Sequence, residues 1–162
     1  MAAARAAAVL ALAALLAGCA SSGANLQRGV SDEAAVRAEM GAPAETVALA
    51  SGGRALFYPR GFRDTIRVEL GPDGKVRAVE HVLDERYFDR IVKGKTTREE
   101  VRAMLGPPFH VWRLGSGEIL WEYRYVWAHD EPWTLLVGIG EDGIVTGQAR
   151  HQERDAGPGF RR

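Results

Sequence analysis

The chain has 162 residues, with 21 Lys+Arg against 21 Asp+Glu, 46% hydrophobic residues, 26% charged residues and one cysteine. Zero formal net charge argues against nucleic acid as the main partner, because phosphate binding wants a clear basic excess. The balance is that of a globular chain. The length suits one ordinary domain or two very small ones, and a lone cysteine excludes an internal disulfide or a multi-cysteine zinc site.

Residues 1–18 read as a secretory signal: Arg5 is followed by a run of Ala, Val and Leu without acids. The alternative, a buried or spanning helix, fits poorly, because Ala is weakly apolar and Ser21, Ser22, Gly23 and Asn25 end the run. The run closes on Leu16-Ala17-Gly18-Cys19, which resembles the lipobox of bacterial lipoproteins. That resemblance implies that Cys19 becomes the first residue and carries acyl chains. With no Asp after Cys19, it also implies sorting to the periplasmic face of the outer membrane. Two or more chains give stable attachment where one is marginal. Residues 19–28 are expected to be the anchor linker.

The remainder repeats once. Gly29, Val36, Arg37, Gly41, Pro43 and Tyr58 recur 65 positions later as Gly94, Val101, Arg102, Gly106, Pro108 and Tyr123. Asp73-Gly74 recurs 69 positions later as Asp142-Gly143, so four residues are inserted, expected after Tyr123. The expected units are residues 25–83 and 84–152, with residues 153–162 a disordered tail containing Gly157, Pro158 and Gly159.

In the first unit Ser31 is the expected cap of a helix whose inner face holds Val36 and Met40, stopped by Gly41 and Pro43. Strands follow through Ile66, Val68 and Leu70, then a Pro72-Asp73-Gly74 turn, then Val76 and Val79. Glu85 to Val92 reads as a short helix with Tyr87, Phe88, Ile91 and Val92 on its apolar side. In the second unit Thr96 and Glu99 have capping-box spacing, and Val101, Met104 and Leu105 share a helical face. Ile119, Trp121, Tyr123, Tyr125 and Trp127 alternate with Leu120, Glu122, Arg124 and Val126, the pattern of a half-buried strand. Trp133, Leu135, Val137 and Ile139 give the next buried face, and Asp142-Gly143 the last hairpin turn. The expected fold class is α+β: two tandem modules, each two helices on an antiparallel sheet. A unit of about 60 residues is marginal alone, and two can share apolar surface.

Gly94, Thr96, Glu99, Val101, Leu105, Gly106, Pro108, Trp121, Tyr123, Asp142 and Gly143 form a pattern that resembles the BamE (SmpA/OmlA) family of small outer-membrane lipoproteins. The tandem form is similar in fold to the β-lactamase inhibitory proteins. The resemblance implies a non-enzymatic envelope lipoprotein that binds a protein partner, in outer-membrane β-barrel assembly or envelope integrity. The alternative it implies is a periplasmic inhibitor-like module capping an envelope enzyme. It implies no cofactor. Repeat one departs from the pattern, with Val30-Ser31 and Met40 at the positions of Lys95-Thr96 and Leu105, and the family's usual member carries one module.

No catalytic set stands out. Residues 138–143 match G-x-G-x-x-G by letter, but a dinucleotide site needs a helix after the motif, and Ile144-Val145-Thr146 reads as strand. His129-Asp130-Glu131 are adjacent in a turn before Pro132 and do not converge, so no metal is expected; His81, His110 and His151 have no partner spacing. Ser116 lies in a Gly-rich turn without the nucleophile-elbow pattern. The candidates for an exposed partner-binding site are Phe57, which aligns with Glu122 on the face opposite Tyr58, and Trp112, on a strand of mixed pattern.

Overall fold

The computed structural model describes residues 22–127 and 130–153. The signal segment, Cys19, His129 and the tail from residue 154 onward lie outside the described residues. Among the described residues, no helix is long and apolar enough to cross a membrane.

The chain is a mixed α/β fold of two four-stranded antiparallel sheets with few helices. Helix α1 (Glu33–Met40) precedes strands β1 (Glu45–Ala48), β2 (Arg54–Pro59), β3 (Thr65–Leu70) and β4 (Val76–His81). Helices α2 (Glu85–Phe88) and α3 (Arg98–Leu105) precede β5 (His110–Arg113), β6 (Ile119–Trp127), β7 (Glu131–Ile139) and β8 (Val145–Gln152). Each sheet pairs its strands in chain order, as short hairpin turns dictate.

The two halves make the same bonds at the sequence offsets of the repeat. Gly29 N–H donates to the Val76 carbonyl and Gly94 N–H to the Val145 carbonyl, both at 2.8 Å. Tyr58 donates its hydroxyl to the Gly41 carbonyl at 3.3 Å; Tyr123 donates to that of Gly106 at 3.1 Å. The last hairpin of each sheet carries the same irregularity, at Glu69/Leu70 and at Gly138/Ile139. The four extra residues lengthen the β6–β7 hairpin, whose ladder runs to Trp127↔Glu131, while β2–β3 ends at Pro59↔Thr65.

The local devices sit one residue from where the sequence put them. Thr97, not Thr96, caps α3: its hydroxyl accepts from Glu100 N–H at 3.1 Å, and the Glu100 carboxylate accepts from Thr97 N–H at 2.8 Å. Thr96 is committed elsewhere. Its carbonyl accepts from Val145 N–H and its buried hydroxyl accepts from Val92 N–H at 2.8 Å. The first half repeats this: Asp32 caps α1, accepting from Ala35 N–H at 3.0 Å, while the Ser31 hydroxyl accepts from Gln27 N–H at 2.9 Å. Before α1 the first half has turns at residues 27–30, with no helix among the described residues there. Helix α2 is one turn long, and Val92 points to solvent. Leu26, where the expected linker and first unit overlap, packs against the first core cluster. Glu153, expected in a tail, is held by Arg63.

Two apolar clusters build four layers. Val36 and Met40 of α1 meet Leu56, Tyr58, Ile66, Val68 and Leu70 on the inner face of the first sheet. Val101 and Leu105 of α3 meet Trp121, Tyr123, Leu135 and Val137 on the inner face of the second. The second cluster also contains Ala55 and Phe57, which lie on the outer face of the first sheet. Helix α3 is therefore packed between the sheets. The order is α1, first sheet, α3, second sheet, and the stack ends on the outer face of the second sheet.

Candidate functional site

The middle of the stack shows how an outer sheet face is covered. Strand β2 is buried on both sides, with the pattern eBBBBe along Arg54–Pro59. Phe57 has no exposed surface. It lies under the C-terminal end of α3, where a Cβ placed on Gly106 would stand 2.5 Å from its ring. Beside it, Arg102 donates to Glu45 at 2.8 Å, and Arg67 donates to the Ala103 carbonyl at 3.0 Å. That carbonyl belongs to the last turn of the helix, where a cation complements the negative end of the dipole. The expectation of an exposed Phe57 is thus corrected. It is a contact residue, but what it contacts is the other half of its own chain, and burying such a ring stabilises by about 1.5–3 kcal/mol.

Among the described residues, no helix covers the equivalent face of the second sheet. The ladder His110↔Glu122↔Leu136↔Ala149 crosses all four strands, and Trp112↔Leu120↔Gly138↔Gly147 runs beside it. At repeat positions, Glu122 stands where Phe57 stands, His110 where Glu45 stands, Trp112 where Val47 stands and Leu136 where Arg67 stands. Trp112 is 51% exposed. Its exposure, as distinct from any partner contact, is what the sequence led one to expect.

One end of this face is polar and cross-linked. Glu122, though buried, accepts from Trp112 Nε1 at 3.1 Å and from Arg124 Nε at 2.7 Å. Glu153 accepts from both terminal guanidinium nitrogens of Arg63, at 3.0 and 2.6 Å, and from the Thr134 hydroxyl at 2.7 Å. The Arg63 guanidinium holds the Glu153 carboxyl down at about 2, against the cost of burial. Arg63 comes from the β2–β3 turn of the first half, so this pair ties the two halves together across the sheet edge. Phe62 from the same turn meets Phe109 edge-on at 5.7 Å, and Arg124 covers the Phe109 ring at 3.8 Å.

The other end is apolar. Leu120, Leu136, Gly138, Gly147 and Ala149 line a shallow groove of about 310 Å³, rimmed by a hydrogen bond from Thr146 to Glu118. It continues past Trp112 into a cleft of about 680 Å³ that includes Arg63, Glu122, Arg124, Thr134 and His151. Among the described residues, no group of three or more His, Cys, Asp or Glu side chains is placed to hold a metal. The Gly-x-Gly segment at residues 138–143 forms a hairpin, with Gly143 N–H bonded to the Gly140 carbonyl at 2.9 Å before β8 begins.

Sequence reasoning missed this face as a whole, although a signal for it existed. Where two repeats align, Phe57 opposite Glu122 marks a face that is buried in one copy and polar in the other.

No family model matches the chain, and no curated protein matches it. Among solved structures, it is similar to the crystal structure of a DUF4309 family protein (YjgB) from Bacillus subtilis subsp. subtilis str. 168. The identity is 17% over 88% of this chain and 92% of that one, with a TM-score of 0.31. A likeness of that degree carries neither fold nor function across.

Proposed function

We propose that this chain is a non-enzymatic envelope lipoprotein. It is anchored through acylated Cys19 on the periplasmic side of the outer membrane and binds a protein partner through the outer face of its second sheet. The partner belongs to outer-membrane β-barrel assembly or to envelope integrity. On this reading the two halves are tandem helix–helix–sheet modules of the BamE and β-lactamase-inhibitory-protein kind, in which α2 and α3 form the helix pair of the second.

The observation that carries the binding function is the contrast between two equivalent faces. The first is covered by α3; the second presents exposed Trp112 above half-buried Leu120 and Leu136, beside a prearranged Glu122–Arg124 pair. Hot spots favour aromatic and Arg side chains set in apolar surroundings. The apolar run before Leu16-Ala17-Gly18-Cys19 supports the anchor.

A photo-reactive residue replacing Trp112 in intact envelopes tests the binding face. The expected result is an adduct with an envelope protein that is lost when Leu136→Arg is added. A hydrolase in the adduct would select the inhibitor-like function. No adduct at Trp112, with adducts forming from an exposed position on α1, would refute the assignment of the face. Palmitate labelling tests the anchor: Cys19→Ser abolishes it if the anchor is real.

A further inference from the structure

The first described residues lie at one end of the molecule. Asn25 N–H donates to the Glu39 carboxylate at 3.2 Å, and a Cβ on Gly23 would stand 3.1 Å from Met40 Sδ and 3.2 Å from Val79 Cγ1. Both contacts mark the C-terminal end of α1. There the Gly41 carbonyl accepts from Tyr58, at the end of β2 that leads into the β2–β3 turn. Cys19 stands three residues before Ser22, so its sulfur cannot be much farther than about 11 Å from this end.

The same end carries exposed aromatic rings from both halves. Phe62 and Arg63 of the β2–β3 turn meet Phe109 and Glu153 of the second half, so the β6–β7 hairpin points the same way. The β2–β3 ladder ends at Pro59↔Thr65, whose repeat equivalent is Arg124↔Thr134. The insertion then adds Tyr125↔Trp133, Val126↔Pro132 and Trp127↔Glu131, about 10 Å of further strand. Phe62 is 72% exposed, Val126 47% and Trp127 38%. The opposite end differs. Its turns are built on Gly52, Asp73-Gly74, Gly115-Ser116 and Asp142-Gly143, and its exposed large apolar residues among those described are single aliphatics, Val30, Val92 and Leu114.

We propose that this aromatic end docks on a phospholipid bilayer, with Phe62, Val126 and Trp127 entering the interfacial layer beside the acyl chains on Cys19. The proposal rests on reading Cys19 as acylated. Trp suits such a layer, where one side of the ring is apolar and its N–H stays wet. Basic side chains at this end are already engaged: Arg63 with Glu153 and Arg86 with Asp84. Insertion of apolar side chains, not attraction to anionic headgroups, therefore drives the contact. Docked end-on, the strands rise from the bilayer and leave the outer face of the second sheet open to a protein partner.

Spin labelling of the acylated protein in phosphatidylcholine vesicles tests this. The chain has one cysteine, whose thiol is consumed by acylation, so one added cysteine takes the label alone. Glu131→Cys places it opposite Trp127 in the ladder; Ser116→Cys places it at the other end. Flotation of the vesicles reads the anchor separately. The label at 131 should be reached by oxygen dissolved in the bilayer more than by an aqueous nickel chelate, and the label at 116 the reverse. Phe62→Ser with Trp127→Ser should lower the docked-to-free ratio read at 131 at least about tenfold, since burying one ring of that size already amounts to as much. Flotation should not change. Circular dichroism and the melting temperature establish that the double variant is folded; if it is not, Phe62→Ser with Val126→Ser replaces it with the same expectation.

A chain that floats with the label at 131 in water, or with the label at 116 in lipid, would overturn the proposal and leave the anchor standing. So would a label at 131 indifferent to loss of the rings. Contact that appears only when phosphatidylglycerol is added would assign docking to charge and overturn it too. A chain that does not float overturns the acylated anchor and the docked end together.

Discussion

Gly41→Ala and Gly106→Ala form a matched pair, because the two glycines hold the same position in the two halves. Both end a helix with φ near +80° and ψ near 180°: 83° and −161° at Gly41, 77° and −157° at Gly106. Only glycine occupies that region readily, so an alanine costs about 1–3 kcal/mol at either site. At Gly41 nothing more is expected, since the added Cβ meets open space. At Gly106 the same atom would lie 2.5 Å from Cδ1 and 2.7 Å from Cγ of Phe57. Phe57 cannot step aside, being fully buried between sheet and helix, and overpacking of that kind adds about 1–3 kcal/mol. Gly106→Ala should therefore be less stable than Gly41→Ala by about 1–3 kcal/mol, at roughly 2–4 °C of melting temperature per kcal/mol for a chain of this size. Urea denaturation gives both values. Adding Phe57→Leu should recover part of the loss in Gly106→Ala, with a coupling of about 0.5–3 kcal/mol, and none in Gly41→Ala. Equal losses at the two glycines, with no coupling to Phe57, would refute the packing of α3 on the first sheet.

Three further outcomes follow from the same contacts. Trp121→Ala should cost about 3–5 kcal/mol in urea denaturation, as a large ring lost from the second core cluster, whereas Trp112→Ala gives up one hydrogen bond to a carboxylate, worth about 1.5–3 kcal/mol, and chiefly weakens partner capture. Thr97→Ala should cost about 0.5–2 kcal/mol as a lost cap, while Thr96→Ser should be milder than Thr96→Ala, because the serine keeps an acceptor for Val92 N–H. The Glu153 carboxyl titrates at about 2 in the folded chain against 4.5 for a free one. A depressed folded value means stability that is complete above about 4.5 and lost as pH falls toward 2, so Glu153→Gln should flatten the acid limb of a melting-temperature profile between those values; an unchanged limb would mean the Arg63 pair contributes nothing.

The sequence made the strands legible because β6 and β7 alternate cleanly, and Tyr123, Tyr125, Leu135 and Val137 are buried as that alternation requires. The position of the four-residue insertion was legible for a similar reason: identities at one offset end at Tyr123 and resume at another by Asp142. The caps were misplaced by one residue because Thr96-Thr97 offers two hydroxyls and two carboxylates at box spacing. What separates them is a bridge between Thr97 and Ile144 and the bond from Val145 to Thr96, both non-local. Phe57 was misread because alternation along β2 assigns its face to solvent. That rule holds for a sheet with one covered side, and here the second side is covered by a helix from the other half.

That difference between the halves bears on what the open face is for. Stacked repeats ordinarily end in a unit whose outer surface is polar, which keeps the array soluble. The second sheet meets this condition at one end only. Glu122, Arg124, Thr134 and Glu153 satisfy one another's hydrogen bonds there, and a surface already satisfied gives a partner orientation and register more than affinity. At the other end, among the described residues, exposed Trp112 stands beside half-buried Leu120 and Leu136, and Gly138, Gly147 and Ala149 keep the floor low enough for a helix to approach closely. Substitution can separate the two parts. Arg124→Gln should loosen the register of docking and Leu136→Arg should abolish it, so cross-linking from Trp112 should spread over more partner positions in the first variant and vanish in the second. If Arg124→Gln abolished capture while Leu136→Arg left it intact, the polar end would be the binding site and the apolar floor a structural consequence of the repeat.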